Sequence, residues 1–134
     1  MTLELHATPH EVMRAVGAFE EFARAQAVPE KMIHQLKLAL EECGSNIVKH
    51  ALQGDARRTF HASFGRAGGM LFIELRDDGP EFDPTVHIDR RREDDEEAHG
   101  GWGIELVRRS LDEFSYRREN GENVLRLGKR LAPA

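Results

Sequence analysis

The chain has 134 residues, with 24 acidic against 19 basic side chains and a formal charge of −5. That acidic balance argues against a general nucleic-acid binder, whose affinity rests on cationic neutralisation of phosphates. The length suits one domain, expected to span residues 1–134, with a core large enough to need no disulfides. No apolar run reaches the roughly 18–20 residues of a membrane span, and the N-terminus lacks signal-peptide character. With the single cysteine Cys43, these features predict a soluble, cytoplasmic protein.

A short extended segment, Thr2 to His6, precedes Thr8-Pro9-His10-Glu11, which reads as an N-cap, a first-position proline and a capping-box glutamate. Val12, Val16, Phe19, Phe22 and Ala23 then recur at helical spacing, predicting a helix to about Ala25. Pro29 opens a longer helix to about Leu52, stopped by Gln53-Gly54-Asp55. Two strands follow, Arg57 to Arg66 and Met70 to Arg76, joined through Ala67-Gly68-Gly69. Beyond the Asp77-Asp78-Gly79-Pro80 turn, a polar stretch with three arginines and an acidic run, Glu93 to Glu97, reads as a solvated loop. A helix from about Trp102 to Leu111 is predicted to turn Ile104, Leu106, Val107 and Leu111 inwards. Strands at Glu113–Arg118 and Val124–Arg130, with an Asn120-Gly121 turn, end the chain. The expected fold is α+β, with helices packed on one face of a mixed, mostly antiparallel sheet.

On the second helix, Ile33, Leu36, Leu40, Cys43 and Ile47 form the stripe expected to face the sheet. Glu42, Asn46 and Lys49 fall on another stripe, which sets a carboxylate, an amide oxygen and an ammonium side by side. Such groups can accept a proton, ligate Mg²⁺ and counter phosphate charge, although each is ordinary on a solvated helix face. Spacing does not choose between Glu42 and its neighbour Glu41. Asp77 at a strand end can accept from an exocyclic amine, with Gly79 supplying backbone freedom. Gly100, Gly101 and Gly103 open a helix, where free N–H groups and the dipole favour a phosphate. No GxxxxGK[ST] loop is present, and no GxGxxG follows a strand. The seven histidines are dispersed and suggest no metal site.

In this order the motifs resemble those of the GHKL (histidine kinase-like) ATPase superfamily. They are most similar to its short branch of anti-sigma-factor serine kinases. ALEECGSNIVKHAL resembles the N box, RDDGPEFDP the G1 box, and HGGWGIELVRRSLDEFSYRRENGENVLRLGKRL the G2 box. The resemblance implies a Bergerat-type two-layer α/β sandwich and a Mg-ATP-dependent serine/threonine kinase. Its implied substrate is a STAS-domain anti-anti-sigma protein, and it would alternate with a sigma factor or analogous client in a partner switch.

By the same resemblance, Glu42 would be the catalytic base and Asn46 would hold Mg²⁺. Lys49 and His50 would lie beside the nucleotide, Asp77 would bind the adenine amino group, and Gly79 would leave room for the base. Gly100, Gly101 and Gly103 would line the phosphates below a lid formed by the residues between Pro84 and Gly100. A homodimer is also implied. Glu81 stands where the G1 box has its second glycine, a larger and charged side chain. The alternative is a non-catalytic module of the same fold that sequesters a sigma factor or other regulator. Room for a phosphoacceptor-histidine helical domain is absent from this length, so histidine autophosphorylation is not expected.

Overall fold

The computed structural model describes residues 1–86 and 98–131, except the side chains of residues 98–102. Strand β1 (Thr2–His6) leads into α1 (Pro9–Ala25) and α2 (Glu30–Asn46), which ends in a π-helical turn, Ile47–Ala51. A hairpin of β2 (Thr59–Ala67) and β3 (Met70–Asp77) follows, then α3 (Ala98–Ser110) and a second hairpin, β4 (Glu113–Glu119) with β5 (Glu122–Arg130).

Local chemistry accounts for most of these boundaries. Thr8 caps α1 by accepting from the Glu11 amide at 3.1 Å, while the Glu11 carboxylate reaches back to the His6 amide, also at 3.1 Å. Gln53 and Gly54, both with positive φ, turn the chain out of the helix, and the Gly54 amide bonds the Val48 carbonyl at 2.7 Å. Both hairpins close through two residues of positive φ, Gly68-Gly69 and Asn120-Gly121, as a right-handed strand twist requires.

The sheet order is β1-β2-β3-β5-β4, and all four pairings are antiparallel rather than mixed. Strands β3 and β4 run in the same direction, but β5 inserts between them, so no parallel pair forms. On the inner face, Leu5, Phe60, Phe64, Leu71, Ile73, Leu75 and Leu127 are buried against α1 and α2. Each such aliphatic or aromatic side chain contributes about 1.5–3 kcal/mol when fully removed from water. The stripe of Ile33, Leu36, Leu40, Cys43 and Ile47 lies in this core, and burial pushes the Cys43 thiol above its ordinary range.

The outer face of the sheet is polar. Glu74 draws in Arg76, Arg117 and Arg126 at 3.4–3.7 Å, and Arg126 lies 3.8 Å from the centre of the Phe72 ring. Helices and core thus occupy one side only, which leaves the helical layer free to build a cleft. Helix α3 departs from the sequence pattern at one residue. Ile104 and Val107 are buried, but Leu106 is 64% exposed, because only the 104/107 edge of this helix meets the core.

Candidate functional site

Glu42 and Asn46 lie in the last turns of α2, and Lys49 and His50 lie on the π-helical turn that follows. The helix expected to run uniformly to Leu52 therefore widens at Ile47, where the Leu52 amide bonds the Ile47 carbonyl at 2.9 Å. Single π turns of this kind concentrate at functional sites. Here it keeps Ile47, Val48 and Leu52 in the core while Lys49 and His50 stay exposed. Glu42, Asn46, Lys49, His50 and Gly103 all line one groove of about 1030 Å³ between α2 and α3. That volume is of the size small-molecule sites use.

Glu41 and Glu42 both line the groove, and burial singles out Glu42. It is partly buried, whereas Glu41 is exposed. Burial raises its carboxyl above the usual range, the nearby Lys49 charge lowers it, and Glu41 raises it further. Gly103 packs directly on it, so close that a β-carbon at position 103 would overlap the Glu42 carboxyl group. The sequence pattern places this glycine in the opening turn of a helix from about Trp102, as a phosphate-approach residue, but α3 already begins at Ala98. Gly100 and Gly101 occupy its first turn, where amides lack intrahelical acceptors, while Gly103 lies inside the helix. Its small size serves the contact between α3 and Glu42. Most of the expected lid, including the acidic run, lies outside the described residues.

Asp77 closes β3 on the other side of the π turn. It is 5% exposed, and burial pushes its carboxyl up against two hydrogen bonds that pull it down. Both fall on Oδ1, from the Gly79 amide at 2.9 Å and from Asn123 Nδ2 at 3.0 Å. Oδ2 accepts no hydrogen bond among the described residues. Gly79 adopts no positive φ, so backbone freedom is not why glycine stands there. A β-carbon at 79 would lie 2.7 Å from the Ala51 carbonyl oxygen and 2.8 Å from the Ala51 side chain. Close approach to the π turn is the constraint, and it ties the Asp77 turn to the segment that carries Lys49 and His50. Neither Asp77 nor Gly79 lines the α2–α3 groove itself.

Asn123 is the site residue that sequence patterns missed. It faces Asp77 across the β3–β5 ladder and bonds the Asp77 turn at several points. Tyr116 and Arg118 support it from β4, through bonds of 2.6 and 3.1 Å to its amide oxygen. Only the preceding Asn120-Gly121 hairpin signal could have located it, by fixing the β4–β5 register. Glu81, the departure from the glycine-rich turn, is exposed and does not line the groove. Among the described residues, no cluster of three His, Cys, Asp or Glu could hold a metal, and no helix is long and apolar enough to cross a membrane.

Comparison with known proteins agrees with the fold. The serine/threonine-protein kinase BtrW of Bordetella bronchiseptica is 28% identical over 134 residues, covering 98% of this chain and 94% of BtrW. The fold is similar to a crystal structure of the RsbU and RsbW domains of Rv1364c from Mycobacterium tuberculosis. The TM-score is 0.64 at 17% identity, over all of this chain and about a third (34%) of that one. The model of the histidine kinase-like ATPase domain matches residues 5–129. The chain belongs to the histidine kinase-like ATPase domain family.

Proposed function

We propose that this chain is a Mg-ATP-dependent serine/threonine protein kinase that works as an anti-sigma-type partner switch. Its substrate would be a STAS-domain antagonist and its client a sigma factor or analogous regulator. The observation that carries this reading is the Glu42 carboxyl: partly buried, raised by its surroundings, and sharing one groove with Asn46 and Lys49. Membership of an ATPase-domain family implies use of ATP, and the likeness to a serine/threonine kinase supports a protein hydroxyl as acceptor.

The residues present fit the nucleotide. The buried Oδ2 of Asp77 offers an acceptor to an exocyclic amine, and Asn46 offers an amide oxygen of the hard type that Mg²⁺ takes alongside phosphate oxygens. Bound Mg²⁺ would neutralise charge on the phosphates. Lys49 would add a positive charge on the same side, beside His50, and the first-turn amides of α3 at Gly100 and Gly101 would face an anion. Glu42 then takes the proton of the acceptor hydroxyl as its oxygen bonds to the transferred phosphorus and ADP leaves. A carboxylate with a raised pKa is a stronger base for that step. The added charge of roughly −1.5 to −2 on the antagonist would break its interface with the kinase. We take residues 1–134 as one domain of this type, acting as a homodimer.

Replacing Glu42 by Gln tests the assignment. Mg-ATP binding should stay within about threefold, and phosphotransfer to a STAS partner should fall on the order of 10²–10⁴-fold, the range of general-base effects. Transfer at the wild-type rate would remove Glu42 from the chemistry.

A further inference from the structure

Asp77 and Asn123 are the two buried polar side chains among the described residues, each 5% exposed, and they sit directly opposite one another on β3 and β5. Asn123 Nδ2 donates to Asp77 Oδ1 at 3.0 Å, to the Pro80 carbonyl at 2.9 Å and to the Gly79 carbonyl at 3.4 Å. Its Oδ1 accepts from the Tyr116 hydroxyl at 2.6 Å, Arg118 Nη1 at 3.1 Å and the Phe82 amide at 3.2 Å. Arg118 also donates to the Gly79 carbonyl at 2.9 Å. Turning the amide over would set its NH₂ against two obligate donors, Arg118 Nη1 and the Phe82 amide, and its oxygen against three acceptors. The contacts therefore permit one orientation.

That orientation has a consequence for Asp77. Asn123 and the Gly79 amide both occupy Oδ1, so Oδ2 alone keeps acceptor capacity, in a place where an unsatisfied carboxylate oxygen is costly. We propose that Asn123 is the positioning residue that sets base selection. By holding Oδ1 and residues 79–82, it presents Oδ2 as a fixed acceptor, which takes purines bearing a 6-amino group and rejects 6-oxopurines. A 6-oxo group would bring a second acceptor against Oδ2, whereas an amine completes it. The bond from Asn123 also favours the ionised carboxylate against burial. Of the other charges facing Asp77, Asp78 opposes ionisation and Arg118 assists it. Without Asn123, Asp77 protonates more readily and becomes a donor that tolerates a 6-oxo group.

This inference rests on the nucleotide-binding reading above, and one experiment separates the two. Mg-ATP, the triphosphate of unsubstituted purine riboside, and inosine triphosphate are titrated into the wild-type chain and into Asn123→Leu, with melting midpoints as a fold check. The wild type is expected to prefer ATP over both analogues by at least about tenfold. In Asn123→Leu, ATP affinity should fall at least about tenfold while that of the unsubstituted purine falls by less than about threefold, so the preference collapses. Equal losses for ATP and the unsubstituted analogue, or no loss, would overturn the assignment as a merely structural effect. Should Asn123→Leu fail to fold, Tyr116→Phe decides. It removes one donor to Asn123 and keeps the ring, and a smaller narrowing of the ATP preference is expected; an unchanged preference overturns the assignment. A wild-type chain that binds none of the three at millimolar concentration overturns the nucleotide reading itself, and this inference with it.

Discussion

Asp77 and Glu42 are both carboxyl groups raised by burial, yet the molecule holds them in opposite ways. Asp77 receives two hydrogen bonds on one oxygen, from a network that runs through Asn123 to Tyr116 and Arg118. Glu42 receives no hydrogen bond and no ion pair among the described residues, and neither do the side chains of Asn46, Lys49 and His50. The sheet end of the site is built before any ligand arrives, because strand register places its partners. The groove end offers charged and polar groups on a helix face and leaves their partners to be supplied. Recognition suits the first arrangement, and chemistry on a changing phosphoryl group suits the second.

The two glycines that touch these carboxylates sharpen the contrast. Gly103→Ala places a β-carbon on the end of the flexible Glu42 side chain, which can swing aside. If Glu42 is the proposed base, the expected outcome is a loss of phosphotransfer on the order of 100-fold from its displacement, with stability changed by less than about 1 kcal/mol. Transfer assays beside denaturant melts check both halves. Gly79→Ala instead meets the backbone oxygen of Ala51, which has nowhere to go. Here stability should fall by about 1–3 kcal/mol, measured as a lower urea midpoint with unchanged slope. If the two variants behaved alike, the distinction between a fixed and an open end would fail.

A smaller effect follows from the Glu42 titration. Its carboxyl is raised in the folded state, so the fold favours the protonated form. That contribution is complete below the unfolded-state pKa and is lost as pH rises through the folded one. Glu42→Gln does not titrate, so it should melt higher than wild type at neutral pH, by less than about 1 kcal/mol. The gap should close as pH falls below about 4. A gap that widens on acidification would mean the carboxylate is stabilised by partners, contrary to the open groove.

The groove end was the more legible in sequence. Glu42, Asn46 and Lys49 converge because they are local in sequence, on α2 and the π turn that continues it, while at the sheet end only Asp77-Gly79 stands out, as a carboxylate and glycine after a strand. The hairpins were equally readable, since Gly68-Gly69 and Asn120-Gly121 carry their backbone requirement in their residue types. Asn123 was not readable, because its partner lies 46 residues away and only the β3–β5 register brings them together. The π turn and the early start of α3 at Ala98 escaped for a related reason. Residue spacing is nearly the same in α and π turns, and glycine discourages a helix assignment that tertiary packing overrides. Leu106 matched the apolar period but stays exposed on the groove, because α3 meets the core along a narrow edge.

The most direct test of a preformed base-recognition end is calorimetric titration of Mg-ATP into the wild-type chain and into Asp77→Asn. Asparagine keeps an acceptor oxygen for the Gly79 amide and Asn123 but presents NH₂ in place of Oδ2, so the fold should be retained. The account predicts saturable 1:1 binding by wild type and at least an about 100-fold weaker affinity for the variant, with melting midpoints within a few degrees. Equal binding by both chains, or no binding by wild type at millimolar ATP, would contradict it.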